Sequence, residues 1–150
     1  MTQARNLEYL KMTIEMMQIP RAGWRYAVKS CASQKMSNAM INICIVIVLN
    51  PGISQDGVAR TLKMDKSSVA KIVMKTVREG YLIRKVNQED HREYQLYLTP
   101  LGEESVDCFL KALEDWQNNV LKTLSKTDRQ KFVELNEKIY QEAKKMDQEF

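Results

Sequence analysis

At 150 residues, 44% hydrophobic and 28% charged, with 5 Gly and 3 Pro, the chain has the composition of one globular domain. Disordered, collagen-like and disulfide-framework sequences are excluded on these numbers. Lys and Arg number 23 against 19 Asp and Glu, a formal +4 that suits an anionic partner without requiring one; a single His and three Cys leave little for a metal cage or a histidine-based triad, so neither metal, cofactor nor enzymatic chemistry is expected.

In chain order, Met1 to Tyr9 carries Arg5 and Glu8 and lacks the apolar run of a secretory signal. Leu7, Leu10, Ile14 and Met17 recur at spacings of 3 and 4, the pattern of an amphipathic helix. Pro20 and Gly23 are expected to interrupt or kink it, with a helix resuming over Trp24 to Lys29 and a polar loop over Ser30 to Lys35. Ser37 to Asn50 has conflicting signals. Ile43, Ile45, Val46, Ile47 and Val48 favour a strand locally, but the length, the Ser37 cap and the Asn50-Pro51-Gly52 stop favour a helix, expected to be fully buried. Met40 to Leu49, the most apolar stretch, is about half the ~20 residues of a membrane-spanning helix.

Ser54 reads as the cap of a short helix through Leu62, and Asp65 as the cap of a second helix with the apolar stripe Val69, Ile72, Val73 and Val77, ended by Gly80. Only Lys63 and Met64 separate the two helices. The period then changes to that of strands, Tyr81–Val86 and Tyr94–Leu98, with a charged loop from Asn87 to Arg92 between them. Thr99-Pro100 opens a helix carried by Val106, Phe109, Leu113, Trp116, Val120 and Leu124. Ser125 and Asp128 form a capping-box variant before a last helix with Phe132, Leu135, Ile139, Ala143 and Met146.

Short helix, tight turn, helix and charged hairpin, in that order, make a winged helix-turn-helix: mainly α, with a small β-hairpin wing. With the apolar stripe inward, Lys66, Ser67, Ser68, Lys71 and Lys75 fall largely outside, where a helix lying in a major groove presents hydroxyls and cations to bases and phosphates. The charge distribution agrees, since the chain carries a net +4 before Ser54, +3 from Ser54 to Leu98 and −3 beyond. Arg92 at the hairpin tip suits a narrow minor groove. Of Arg84 and Lys85, on opposite strand faces, one is expected to be a solvated charge, and spacing does not choose between them. His91 is read as a solvated side chain on the wing and not as a metal ligand.

Residues Ser54 to Gly102 resemble the DNA-binding core of the MarR family of bacterial transcriptional regulators. The resemblance rests on Val58-Ala59, Leu62, Asp65, Ser67, Val69, Val73, Gly80-Tyr81-Leu82-Ile83-Arg84, Asp90, Arg92 and Leu98-Thr99-Pro100-Leu101-Gly102. It implies a homodimer on a palindromic double-stranded operator. Residues 37–98 would form the DNA-binding core, with 1–36 and 99–150 as dimerisation helices. By the same resemblance Arg92 inserts into the minor groove, Asp90 braces it, and Ser67, Ser68 and Lys71 begin the groove-facing helix. Two positions depart from the pattern: His91 stands where Arg often follows the Asp, and Gly57 stands where an acid is common and costs helix stability.

The function expected is a cytoplasmic, dimeric regulator, usually a repressor, released by a small molecule or a stress signal. The alternative is a winged helix that binds protein. Nine Met suit adaptable packing or a plastic pocket for a small aromatic or apolar effector, with Trp24, Tyr26 and Trp116 as candidate lining. The three cysteines, widely spaced and odd in number, suggest a reducing compartment. Cys44 is expected in the core and Cys108 packed or interfacial. Cys31, near Lys29 and Lys35, is the best placed of the three for an oxidant-sensing thiol.

Overall fold

A serine followed by an apolar run starts the core. Ser37 lies in extended backbone and its hydroxyl accepts from the Met40 amide at 3.4 Å, capping α2 (Asn38–Leu49). The β-branched content does not prevail, because a helix satisfies its own backbone polar groups inside an apolar interior. Met40, Ile41, Ile43, Cys44, Val46 and Ile47 are buried. Val48 and Leu49 are exposed, so the last turn emerges from the core and the expectation of full burial is corrected there. The computed structural model describes residues 2–31, 36–88 and 93–148, and the side chains of all of these except 2–5, 147 and 148.

Pro20 and Gly23 do not interrupt the first helix. α1 (Thr2–Ser30) runs unbroken through Pro20 and Gly23. Proline removes one intrahelical hydrogen bond, and the segment beyond it is anchored by tertiary contacts. Gly23 and Ala27 are buried, and Trp24 packs on Phe109 with ring centroids 4.6 Å apart.

Ser54 caps α3 (Gln55–Leu62) through the Gly57 amide at 3.2 Å. Lys63 takes a left-handed conformation, φ 50°, which lets two residues reverse the chain before the Asp65 cap of α4 (Lys66–Arg78). Gly80 turns the chain at φ 84° into β1 (Leu82–Val86), which pairs antiparallel with β2 (Tyr94–Leu98) in the register Leu82 to Leu98 and Arg84 to Leu96. A third segment extends the ladder: the Gly52 amide donates to the Leu96 carbonyl, and the Leu96 amide to that of Ile53, both at 3.1 Å. The wing is thereby fixed to the start of α3.

Thr99 caps α5 (Pro100–Leu121): its hydroxyl accepts from the Gly102 amide at 3.1 Å and donates to the Gly80 carbonyl at 2.6 Å. Val106 and Phe109 of α5 join α2, Val58 and Ala59 of α3, Val69 and Val73 of α4, Leu82 and Leu96 in one core. Ser125 and Asp128 close the expected box at the start of α6 (Lys126–Gln148): the Asp128 amide donates to the serine hydroxyl at 3.1 Å, and that hydroxyl to the Asp128 carboxylate at 2.6 Å. The chain divides into two compact units, residues 1–113 and 114–150.

The cysteines depart from the free thiols and reducing compartment that their number and spacing suggest. Cys31 and Cys108 form a disulfide, with Cα atoms 6.2 Å apart at a sequence separation of 77. The helical α1 carries Cys31 to the flank of α5, a proximity that sequence spacing does not reveal. Cys44 is buried as expected, and desolvation pushes its thiol up to about 12.

Candidate nucleic-acid interface

α4 has two opposite faces. Val69, Val73 and Thr76 are fully buried, and the Thr76 hydroxyl donates to the Ile72 carbonyl at 2.7 Å, which allows a polar side chain there. Ile72 and Val77 flank this face, half-buried. Lys66, Ser67, Lys71, Met74, Lys75 and Arg78 are exposed, with Ser68 at the margin. The side chains expected to face outward at 66, 67, 71 and 75 are all exposed; Ser67, Lys71 and Lys75 follow one another at spacings of four, whereas Lys66 is turned toward α3. The surface of Ser67, Lys71 and Lys75 also holds Met74 and Arg78, which follow Lys71 at the next helical spacings.

The first turn of α4 is organised by Asp65. Its Oδ1 accepts from the Ser68 amide at 2.8 Å and from the Ser67 hydroxyl at 2.7 Å. Hydrogen bonds from Ser68 and then Ser67 hold the Asp65 carboxyl at about 2. The Ser67 hydroxyl, with its proton engaged, faces outward as an acceptor. Lys66 is paired with Asp56 of α3, and Lys75 lies 3.8 Å from Glu79. Lys71 enters none of the salt bridges found among the described residues. The helix-turn-helix thus presents hydroxyl and cationic groups from a helix whose opposite face is locked in the core.

Solved structures of known regulators share this fold. In the crystal structure of MarR, the superposition covers 92% of this chain and 94% of that one at a TM-score of 0.79 and 24% identity. The chain has the MarR-type winged-helix fold. A mutant of MepR from S. aureus, bound to an oligodeoxyribonucleotide, is also similar, at a TM-score of 0.63 and 16% identity over 88% of this chain and 97% of that one. In sequence, the chain is 29% identical over 97 residues to the transcriptional regulatory protein proposed for the hcr operon of Thauera aromatica. That match takes in 65% of this chain but 58% of the other protein, less than two thirds of its length. The HTH-type transcriptional regulator BilQ of Clostridioides difficile (strain CD3) is 24% identical over 129 residues, 86% of this chain and 87% of that one. No family model matches the chain. These relatives are regulators of transcription and not enzymes.

In the MarR-type hairpin, β1 resolves the two cations that sequence left open. Arg84 lies 3.4 Å from the Gln55 side-chain oxygen and 6.0 Å from the Tyr94 ring, in a groove with Ser54, Asp56 and Glu93 beside the start of α3. Lys85 stands over the Tyr97 ring at 4.8 Å on the other face. Both are engaged, and Arg84 is the one that shares the α3 side. The expected wing residues Asp90, His91 and Arg92 lie outside the described residues.

Gly57, which departs from the family pattern, has a packing reason. A Cβ there would meet the Ile53 side chain at 2.6 Å. The cost of glycine in a helix is accepted for close approach of α3 to the turn before it. Three aromatic residues are the expected lining of an effector pocket. Trp24 is a packing partner of Phe109, Tyr26 is 43% exposed, and Trp116 belongs to the second unit. The cavity beside the disulfide, lined by Val28, Met36, Ile41 and Phe109, is about 20 Å³, room for about one water. Among the described residues no group of His, Cys, Asp and Glu is placed to hold a metal, and no helix is long and apolar enough to cross a membrane.

Proposed function

We propose that the protein is a dimeric, sequence-specific DNA-binding regulator of transcription, acting as a repressor released by a small-molecule or stress signal. The observation that carries this reading is the outer face of α4, where hydroxyls and cations oppose a fully buried apolar face on a MarR-type fold. The helix enters the major groove with Ser67, Ser68 and Lys71 leading; Lys66, Lys75 and the loop residue Arg92 contact backbone or minor groove, and Asp90 braces Arg92. Residues 37–98 serve as the DNA-binding core.

The second copy is supported by apolar surface left open in the single chain. Leu7, Leu10, Ile14 and Met17 on α1, and Phe132, Leu135, Ile139 and Met146 on α6, are each between 44% and 63% exposed. Faces of this size and regularity suit helix packing against another chain in residues 1–36 and 99–150. Two winged domains would then span half-sites about 34–36 Å apart, and a signal that favours another spacing lowers operator affinity.

The test is an anisotropy titration of the protein against its own upstream DNA and a scrambled duplex, at two salt concentrations. Tighter binding to the upstream DNA is expected, weakening steeply with salt. Lys71→Ala is expected to reduce the salt slope by about one and to weaken binding without unfolding the protein, and Arg92→Ala to weaken it likewise. Unchanged affinity in both variants rejects those assignments. Salt-independent binding, or none to any duplex in a random-sequence selection, points instead to a winged helix that serves a protein partner.

A further inference from the structure

One exposed residue on the outer face of α4 is neither hydroxylic nor charged. Ser67, Lys71, Met74 and Arg78 follow one another at spacings of 4, 3 and 4, which aligns them along a single stripe. The stripe lies opposite Val69, Val73 and Thr76, all fully buried. Met74 therefore cannot reach the core from its position, and it is 55% exposed. Among the described residues it is the one large apolar side chain of α4 that is exposed, and Lys71, Lys75 and Arg78 surround it in sequence. A basic stripe excludes most protein cores as its partner and suits the phosphate-lined walls of a groove. The major groove offers one prominent apolar feature to a side chain at its floor, the C5 methyl group of thymine.

We propose that Met74 is a specificity-determining residue that reads a thymine methyl in each half-site, while the cations on either side contact phosphates or guanine edges. This inference rests on the DNA-binding reading above and adds a base preference to it. The methionine side chain is unbranched and polarizable, and adapts to a methyl group without a fixed hydrogen-bond geometry. It supplies contact area, so the preference concerns the methyl group and not the Watson–Crick identity of the pair. Deoxyuridine, which pairs like thymine and lacks that methyl, separates the two.

The experiment starts from a duplex enriched from random sequence by the full-length protein. Each thymine of that duplex is replaced in turn by deoxyuridine, and affinity is measured for the wild type, Met74→Ala and Met74→Leu. In the wild type, one position per half-site is expected to lose affinity by about three- to tenfold, the size set by burying one methyl group. Met74→Ala is expected to bind the thymine duplex more weakly and to show no loss on substitution at that position. Met74→Leu is expected to keep most of the sensitivity. Circular dichroism and thermal midpoints check that the variants fold. Methyl sensitivity that is absent in the wild type, or equal in wild type and Met74→Ala, overturns the role of Met74 and leaves the regulator intact. Failure to enrich any duplex overturns the DNA-binding reading itself.

Discussion

Gly102 shows how a single hydrogen atom can decide a junction. A Cβ at this position would lie 2.2 Å from the Tyr81 carbonyl oxygen, which is backbone and cannot rotate away. The Tyr81 carbonyl also accepts from the Thr99 amide at 3.0 Å, so the end of α4, the start of β1 and the start of α5 meet there. Gly102→Ala is expected to destabilise the fold by about 1–3 kcal/mol, measured by urea unfolding, because the contact must be relieved by moving backbone. A stability equal to wild type would show that the junction yields easily. This steric need has a sequence trace in Leu98-Thr99-Pro100-Leu101-Gly102, but only the approach of Tyr81 explains it. Cys31 is the opposite case: nothing in its neighbourhood in sequence indicates that Cys108 is its partner.

At the scale of elements, local chemistry set most boundaries. Ser37, Ser54, Asp65, Thr99 and Ser125 all stand at helix starts and all accept from a backbone amide three residues on. Asp65 also confers pH dependence on α4. Its carboxyl is held at about 2 against an ordinary 3.8, so hydrogen bonding favours the ionised form in the folded protein. The depressed value means that this contribution is complete above about 4 and is lost as the pH falls toward 2. In Asp65→Asn the amide oxygen still caps the helix but does not titrate. The difference in thermal midpoint between wild type and Asp65→Asn is expected to change between pH 4 and pH 2 and to be constant above that window. A difference constant down to pH 2 would show that the cap is not charge-dependent. What local signals misjudged is α1. Proline and glycine predicted an interruption or kink near residues 20–23; the helix is not interrupted, because packing of Trp24 and Ala27 against the core outweighs one lost hydrogen bond.

At the scale of the molecule, the disulfide joins the end of α1 to α5 at a sequence separation of 77. In the chain-entropy description, closing a loop of that length restricts the unfolded state by about 4 kcal/mol. Reduction is expected to lower the thermal midpoint, and Cys31→Ser to do the same without added reductant. Non-reducing peptide mapping should find Cys31 linked to Cys108. Cys44 should resist alkylation until the protein is unfolded, since burial keeps its thiol protonated. Free Cys31 in the purified, unreduced protein would refute the pairing. The disulfide also bears on the expectation of a sensing thiol at Cys31, which as a half-cystine holds no thiolate to react.

Local patterns in the chain suffice for the order of elements, the helix caps, the α4 stripe and the winged helix-turn-helix pattern. Each of these is written in contacts between residues three or four apart, or in alternation along a strand. Local patterns also identified the outward hydroxyls and cations of α4, because an apolar stripe leaves the opposite face to solvent. Tertiary structure alone decided the continuity of α1, the Cys31–Cys108 pair, the close approach that requires Gly57 and Gly102, and the separate environments of Trp24 and Tyr26. It also assigned Arg84 to the α3 side and Lys85 to the Tyr97 ring. These features depend on groups far apart in the chain coming within a few ångströms, and no local pattern of residue types encodes that distance.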